Sequence, residues 1–387
     1  MDERERKRIV ERCDRFVTGW TAPRDPAETF RALADRAGSR LDVYGGGDSV
    51  KRLEARVARL LGKEAAVLFP SGTMAQQIAL RILCDRSGCP TVGFHPQCHL
   101  DVHEERGYEH LHGLHARLVG DRDRLVARAD LDEVGETLGA LLLELPQRDL
   151  GGQLPAWRDL RAQTTWARRH GVALHLDGAR LWQCRPFYRR PLREIAALFD
   201  TVYVSLYKDL GGLGGCMLAG PNDLIAEARV WRVRHGGRLS TYEPMALSAE
   251  RGLDELLPRM PSFVRKAREV GVALGRVDGV DVVPDPPQVA MLHVYVRGEL
   301  ERLRDSLFEI AQERRTLIAG YFAPTPMPRV QMTEITVGPA SLNVPTGEVA
   351  ELYTELVERA AKPRRSSPRT SRRAPAKPAT RRRGAAG

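Results

Sequence analysis

The chain has 387 residues, 60 of them Lys or Arg and 50 Asp or Glu, a length that suits two or three domains. Hydrophobic residues make up 42% and charged residues 28%, which excludes a wholly disordered chain. The formal net charge of +10 is matched by ten Lys/Arg within residues 362–387, which hold no acid, so residues 1–361 are neutral and give no reason of their own to expect a polyanionic partner. Residues 1–40 are charged and Ala-rich with weak helical periodicity, and read as an N-terminal helical arm. From 41 to 245, short apolar runs at 67–69, 92–94, 141–143, 172–176 and 202–206 alternate with helical patterns, as strands buried on both faces do. In the helix predicted over 49–61, Val50, Leu53, Val57, Leu60 and Leu61 share a face, with Asp48 or Ser49 to cap its start and Gly62 its end. Strands alternating with helices predict a mainly parallel α/β sheet. Over 246–361 the pattern shifts to an apolar helix at 246–275, a Pro-rich stretch at 284–287, a strand at 290–296, a helix at 299–317 and strands near 328–345. That succession predicts a smaller α+β domain. Residues 362–387 are Pro, Ala, Ser and Arg without apolar periodicity, and are expected to form a disordered basic tail because they bury too little surface to offset their ordering entropy.

Six cysteines without a CxxC pair signal neither a disulfide scaffold, a zinc ribbon nor a thioredoxin-type site. The opening MDERERKRIVERC places charges where a signal peptide needs an apolar stretch, and no uncharged run approaches the roughly 18 residues of a membrane helix. A soluble cytoplasmic protein without membrane contact is expected.

Three spots carry chemistry. Ser71-Gly72-Thr73-Met74 follows one strand and opens a helix over 73–83, which makes it either a phosphate or carboxylate cup or a plain helix cap. Asp177 stands at the C-terminal end of the strand 172–176, where open α/β sheets place ligands. A near-buried carboxylate needs a cationic partner; Arg180, His175 or a protonated ligand nitrogen would serve. Lys208 follows the strand 202–206 and precedes four glycines in five residues (211–215). A lysine held beside a buried strand end can act as an amine nucleophile, and the glycines let backbone approach a ligand. A cup, an acid at one strand end and a lysine at the next are together what a pyridoxal phosphate site requires.

With the segments DVYGGGDSVKRLE (42–54), GKEAAVLFPSGTMAQQIAL (62–80), CHLDVHEE (98–105), HGVALHLDGARLW (170–182) and SLYKDLGGLGGCMLAG (205–220), the chain resembles the threonine aldolase and β-eliminating lyase family of fold-type I pyridoxal-phosphate enzymes. The resemblance implies a mainly parallel seven-stranded sheet in a large domain, a smaller α+β C-terminal domain, and a homodimer or homotetramer with active sites at a subunit interface. It makes Lys208 the Schiff-base lysine, Asp177 the partner of the pyridine nitrogen, Gly72 and Thr73 the phosphate cup, and Arg180 the arginine for the substrate α-carboxylate. His99 corresponds to the histidine stacked on the cofactor ring, and Glu104 to an acid on the same short helix. The implied reaction is retro-aldol cleavage of a β-hydroxy-α-amino acid to glycine and an aldehyde, with His99 or a water as base; β-elimination is the alternative.

Several substrate-facing positions depart from the family. Its opening serine-bearing segment has no counterpart here, and Tyr207 replaces the serine before the lysine. Gln147 stands where the family has an active-site histidine, which leaves it a substrate-binding candidate but no base. Gln331 occupies the place of a second carboxylate-binding arginine, with Arg329 two residues away. Two rival readings remain. His99 and His103 have zinc-protease spacing, with Cys98 and Asp101 nearby, but Leu100 replaces the glutamate of that motif, so no metal is expected. The tail, with ten cations and no aromatics, suits weak, salt-sensitive and sequence-independent polyanion contact, as a catalytically idle, tethered cofactor-binding protein would use.

Overall fold

In the computed structural model seven strands form a central sheet: β1 (Ala65–Phe69), β2 (Thr91–Phe94), β3 (His115–Leu118), β4 (Ala140–Glu144), β5 (Ala173–Gly178), β6 (Thr201–Ser205) and β7 (Cys216–Gly220). Their spatial order is β1-β7-β6-β5-β4-β2-β3. The structure describes residues 2–19 and 22–362; the expected disordered tail, from residue 363 on, lies outside them. All pairings are parallel except those of β7, which runs against both β1 and β6. The reason is chain length. The loop 206–215 is shorter than the roughly dozen residues of a parallel crossover, so β7 must turn back. β4, β6 and β7 are buried at every residue, which explains their uninterrupted apolar runs. β3, the edge strand, is mostly exposed and carries no such run; sequence reading missed it for that reason.

Alternate side chains of β1 serve the two faces of the sheet. Ala66 and Leu68 join one core cluster, while Val67 and Phe69 join the other, with Ile78 and Leu80 of the helix Gly72–Ser87. The predicted helix 49–61 is Asp48–Leu61, and Gly62 ends it in the left-handed conformation (φ 62°). The expected side-chain cap is not used. Gly47 is the cap residue, and Ser49 Oγ instead donates to Glu243 at 2.7 Å. Asp42 gathers the preceding turn, accepting from the N–H groups of Gly45, Gly47 and Tyr242. Gly45-Gly46-Gly47 is therefore a turn built around a buried carboxylate.

The single apolar helix expected over 246–275 is two helices, Glu243–Glu255 and Met260–Leu274, parted by a tight turn at Leu257–Arg259 that holds Pro258. Beyond them lies an antiparallel sheet, ordered β10-β11-β9-β8, of β8 (Val280–Val283), β9 (Met291–Arg297), β10 (Ala323–Pro324) and β11 (Val330–Thr336). The helices Leu300–Arg314 and Thr346–Ala361 complete that layer. The N-terminal residues hold helices Glu3–Arg12 and Pro26–Ala34, and Arg15–Phe16 pairs in parallel with Thr316–Leu317.

Candidate active site

The C-terminal ends of β1, β4, β5 and β6 meet at one edge of the sheet, where carbonyl ends diverge into loops and open α/β sheets bind ligands. A cleft of about 330 Å³ opens there, lined by Ser71, Gly72, Thr73, His99, Glu104, Glu144, Asp177, Arg180, Tyr203, Tyr207 and Lys208 among others. Residues from five separate segments thus converge, including Gly72, Thr73, His99, Glu104, Asp177, Arg180 and Lys208 from the sequence reading.

At one end of the cleft the helix Gly72–Ser87 presents its N-terminus. Ser71 Oγ accepts from Met74 N–H at 3.3 Å, so the capping reading of this serine holds, and the N–H groups of Gly72 and Thr73 remain in the first turn, where no helical carbonyl can reach them. Gly72 is required by space: an added Cβ would stand 2.2 Å from Tyr203 Oη.

Asp177 is 1% exposed, and its Oδ1 accepts from Ala179 N–H at 3.0 Å. No ion pair reaches it among the described residues. His175, one of its expected partners, lies on the same strand face but bonds Thr201 Oγ1 at 2.7 Å, and burial pushes its pKa down to about 4, which keeps it neutral. Arg180, the other, faces Glu334, with Nη2 3.5 Å from Oε1. Lys208 lies across the cleft. Burial, then the charge of Arg180, pushes its ammonium pKa down and favours the amine. A buried carboxylate without a cation, a lysine biased toward its neutral form and a helix end with free donors fit pyridoxal phosphate: pyridinium, aldehyde carbon and phosphate each have a counterpart.

His99 and Glu104 form the opposite wall. His99 Nδ1 meets Glu104 Oε1 at 3.1 Å, and Glu104 Oε2 is buried without a partner. The His99 ring lies 4.9 Å from that of His103, whose Nε2 meets Asp149 Oδ2 at 2.7 Å. Among the described residues no three His, Cys, Asp or Glu side chains are placed to hold a metal ion.

Gln147 does not line the cleft. Its carboxamide nitrogen donates to Glu144 Oε2 (3.0 Å) and to the Gln97 carbonyl (3.1 Å), beside a smaller cavity behind the cleft wall. Gln331 is likewise turned away and donates to the Gly298 carbonyl at 3.1 Å, while Arg329 pairs with Glu299 on the surface.

Two acids in or beside the site escaped sequence reading. Glu144, in register with Asp177, faces the cleft; burial and then the Asp177 charge push its pKa up to about 8, against the hydrogen bond from Arg148 N–H. Its place at the end of the apolar run ALLLE was the available sign. Glu334, on β11, had none. Burial pushes its pKa up, but His293, Arg180 and Arg148 outweigh burial and hold it at about 2.

Fold and cleft together define a fold-type I enzyme dependent on pyridoxal phosphate. Residues 26–298 match the family model described as β-eliminating lyase, and the chain belongs to that family. It is 28% identical over 298 residues to low-specificity L-threonine aldolase 1 of Arabidopsis thaliana, covering 73% of this chain and 83% of that one. Low specificity L-threonine aldolase of Escherichia coli K12 is 28% identical over 251 residues, 61% of this chain and 74% of that one. A solved structure from Listeria monocytogenes, provisionally an L-allo-threonine aldolase, superposes with a TM-score of 0.86 at 36% identity, covering 92% of this chain and 98% of that one.

Proposed function

We propose that the protein is a pyridoxal-phosphate-dependent carbon–carbon lyase that cleaves β-hydroxy-α-amino acids to glycine and an aldehyde. The observation that carries this reading is the convergence of Lys208, Asp177, Arg180 and the His99–Glu104 pair on one cleft at the end of a helix. When bound, pyridoxal phosphate supplies an electron sink for the pair left by the breaking Cα–Cβ bond. The chain's residues do the rest. Lys208 Nζ, favoured as the neutral amine by its burial, holds the cofactor. Asp177 would keep a proton on the pyridine nitrogen, and the Gly72 and Thr73 N–H groups would receive the phosphate. Arg180 takes the substrate α-carboxylate. His99 would stack on the cofactor ring; with Nδ1–H donated to Glu104, its Nε2 is left as the acceptor for the β-hydroxyl proton. Gln147 cannot serve as that base, and its carboxamide is already engaged.

The test is glycine release from a panel of β-hydroxy-α-amino acids by the purified holoenzyme. Aldehyde and glycine in equal amounts are expected; pyruvate or ammonia without glycine would replace this reading by β-elimination, the reaction named in the family description.

The assembly we propose is a homodimer or homotetramer, supported by the exposed Leu41, Val43 and Tyr44 beside the Asp42 turn. A cytoplasmic setting is supported by six free cysteines. No helix among the described residues is long and apolar enough to cross a membrane. Weak polyanion contact through residues 362–387 rests on their charge.

A further inference from the structure

β11 delivers an acid, not a second cation, to the carboxylate end of the cleft. Glu334 projects from the strand face opposite Gln331, with its side chain only 10% exposed. Its carboxylate bridges two arginines from different loops: Arg148 Nη2 at 3.0 Å and Arg180 Nη2 at 3.5 Å. His293 Nε2 stands at 3.8 Å, beyond hydrogen-bond reach, and Thr336 Oγ1 donates at 3.3 Å. Arg148 is shared further, since its Nη1 also meets Asp149 Oδ1 at 3.0 Å. Arg180 is left as the guanidinium open to a ligand, and its Nε is buried without an acceptor.

We propose that Glu334 is a specificity-determining residue: its fixed carboxylate beside Arg180 admits β-hydroxy-α-amino acids with a neutral side chain and rejects those with a second anionic group at Cβ. This rests on the aldolase reading, in which Arg180 holds the α-carboxylate. Glu334 is held by both arginines, and its withdrawal would leave Arg180 without an ion-pair partner among the described residues in a buried site. A second carboxylate on Cβ is separated from the α-carboxylate by Cα and Cβ only, so with the α-carboxylate on Arg180 it falls in the neighbourhood of Glu334. At an effective dielectric of about 20, two like charges roughly 6–10 Å apart disfavour each other roughly tenfold to hundredfold. A repulsive element of this kind sets specificity without adding affinity.

The experiment compares holoenzymes of wild type, Glu334→Gln and Glu334→Asp. Glycine release from threonine and from β-hydroxyaspartate gives one ratio; calorimetric affinities for alanine and aspartate, which need no cleavage, give another. Glu334→Gln is expected to shift both ratios toward the dicarboxylic ligand by tenfold or more, through KM rather than kcat, and Glu334→Asp to retain discrimination. Equal affinity ratios in wild type and Glu334→Gln would overturn the proposal. A shifted affinity ratio with no glycine released from any β-hydroxy-α-amino acid would uphold Glu334's charge discrimination and overturn the aldolase reading alone.

Discussion

Asp177 and Lys208 stand at the ends of two neighbouring strands on one cleft, Asp177 buried and Lys208 half-buried. Lys208→Ala should abolish the borohydride-reducible cofactor adduct and lower turnover by orders of magnitude, because the cleft lining among the described residues holds no other lysine; mass spectrometry after reduction decides it, and a surviving adduct would reassign the lysine. Glu144 makes a different kind of prediction. An acid whose pKa is raised in the folded state binds more protons folded than unfolded between the ordinary carboxylate range and about 8. Its contribution is fully present below that range and is lost as pH rises through about 8. Glu144→Gln removes this slope. Its melting temperature should therefore gain on that of wild type between about pH 5 and pH 8.5; a constant difference across the window would show that Glu144 ionises normally.

Helix ends and strand ends place these groups, so small changes there act on the site. The start of the helix Gly72–Ser87 is packed against Tyr203 too closely for any side chain at position 72. Gly72→Ala should cost about 1–3 kcal/mol through overpacking and turn the free N–H groups off their line to the phosphate. The expected result is a lower melting temperature together with cofactor that dialyses away; full cofactor retention would mean that Tyr203 moves aside without disturbing the helix end. The loop 206–215 works in the same way. It is too short for a parallel crossover, and its shortness holds Lys208 at the lip of the sheet.

Charge is divided along the chain as sharply as structure. Residues 1–361 are formally neutral while 362–387 carry ten cations, and the last described residue, Lys362, offers its carbonyl to Arg302. A chain ending at Lys362 should therefore keep its fold, cofactor and catalytic rate. It should lose retention on heparin, and the full chain's retention should fall steeply with salt, since counterion release drives such contacts. Heparin chromatography at two salt concentrations, alongside activity, checks this. Unchanged retention after truncation would move the polyanion contact to the folded surface.

Much of this architecture was legible in local pattern. Uninterrupted apolar runs marked five of the seven strands because a central parallel strand has two dry faces. Acids, lysines and glycines at strand ends marked Asp177, Lys208 and Gly72 because ligand chemistry concentrates where strands stop. The exposed edge strand β3 and the helix break at Pro258 were not legible, the first for want of an apolar run and the second because apolar periodicity continues across the turn. Glu334 and Gln147 show the limit most clearly. Glu334 lies far along the chain from Arg180, on a different sheet, and only the packing of the small sheet against the large one puts its carboxylate 3.5 Å away. Gln147, a substrate-binding candidate from the sequence, is drawn off by Glu144 and the Gln97 carbonyl. Which face a side chain shows is set by its own strand, but which charge it meets is set by long-range packing, and that belongs to the tertiary structure alone.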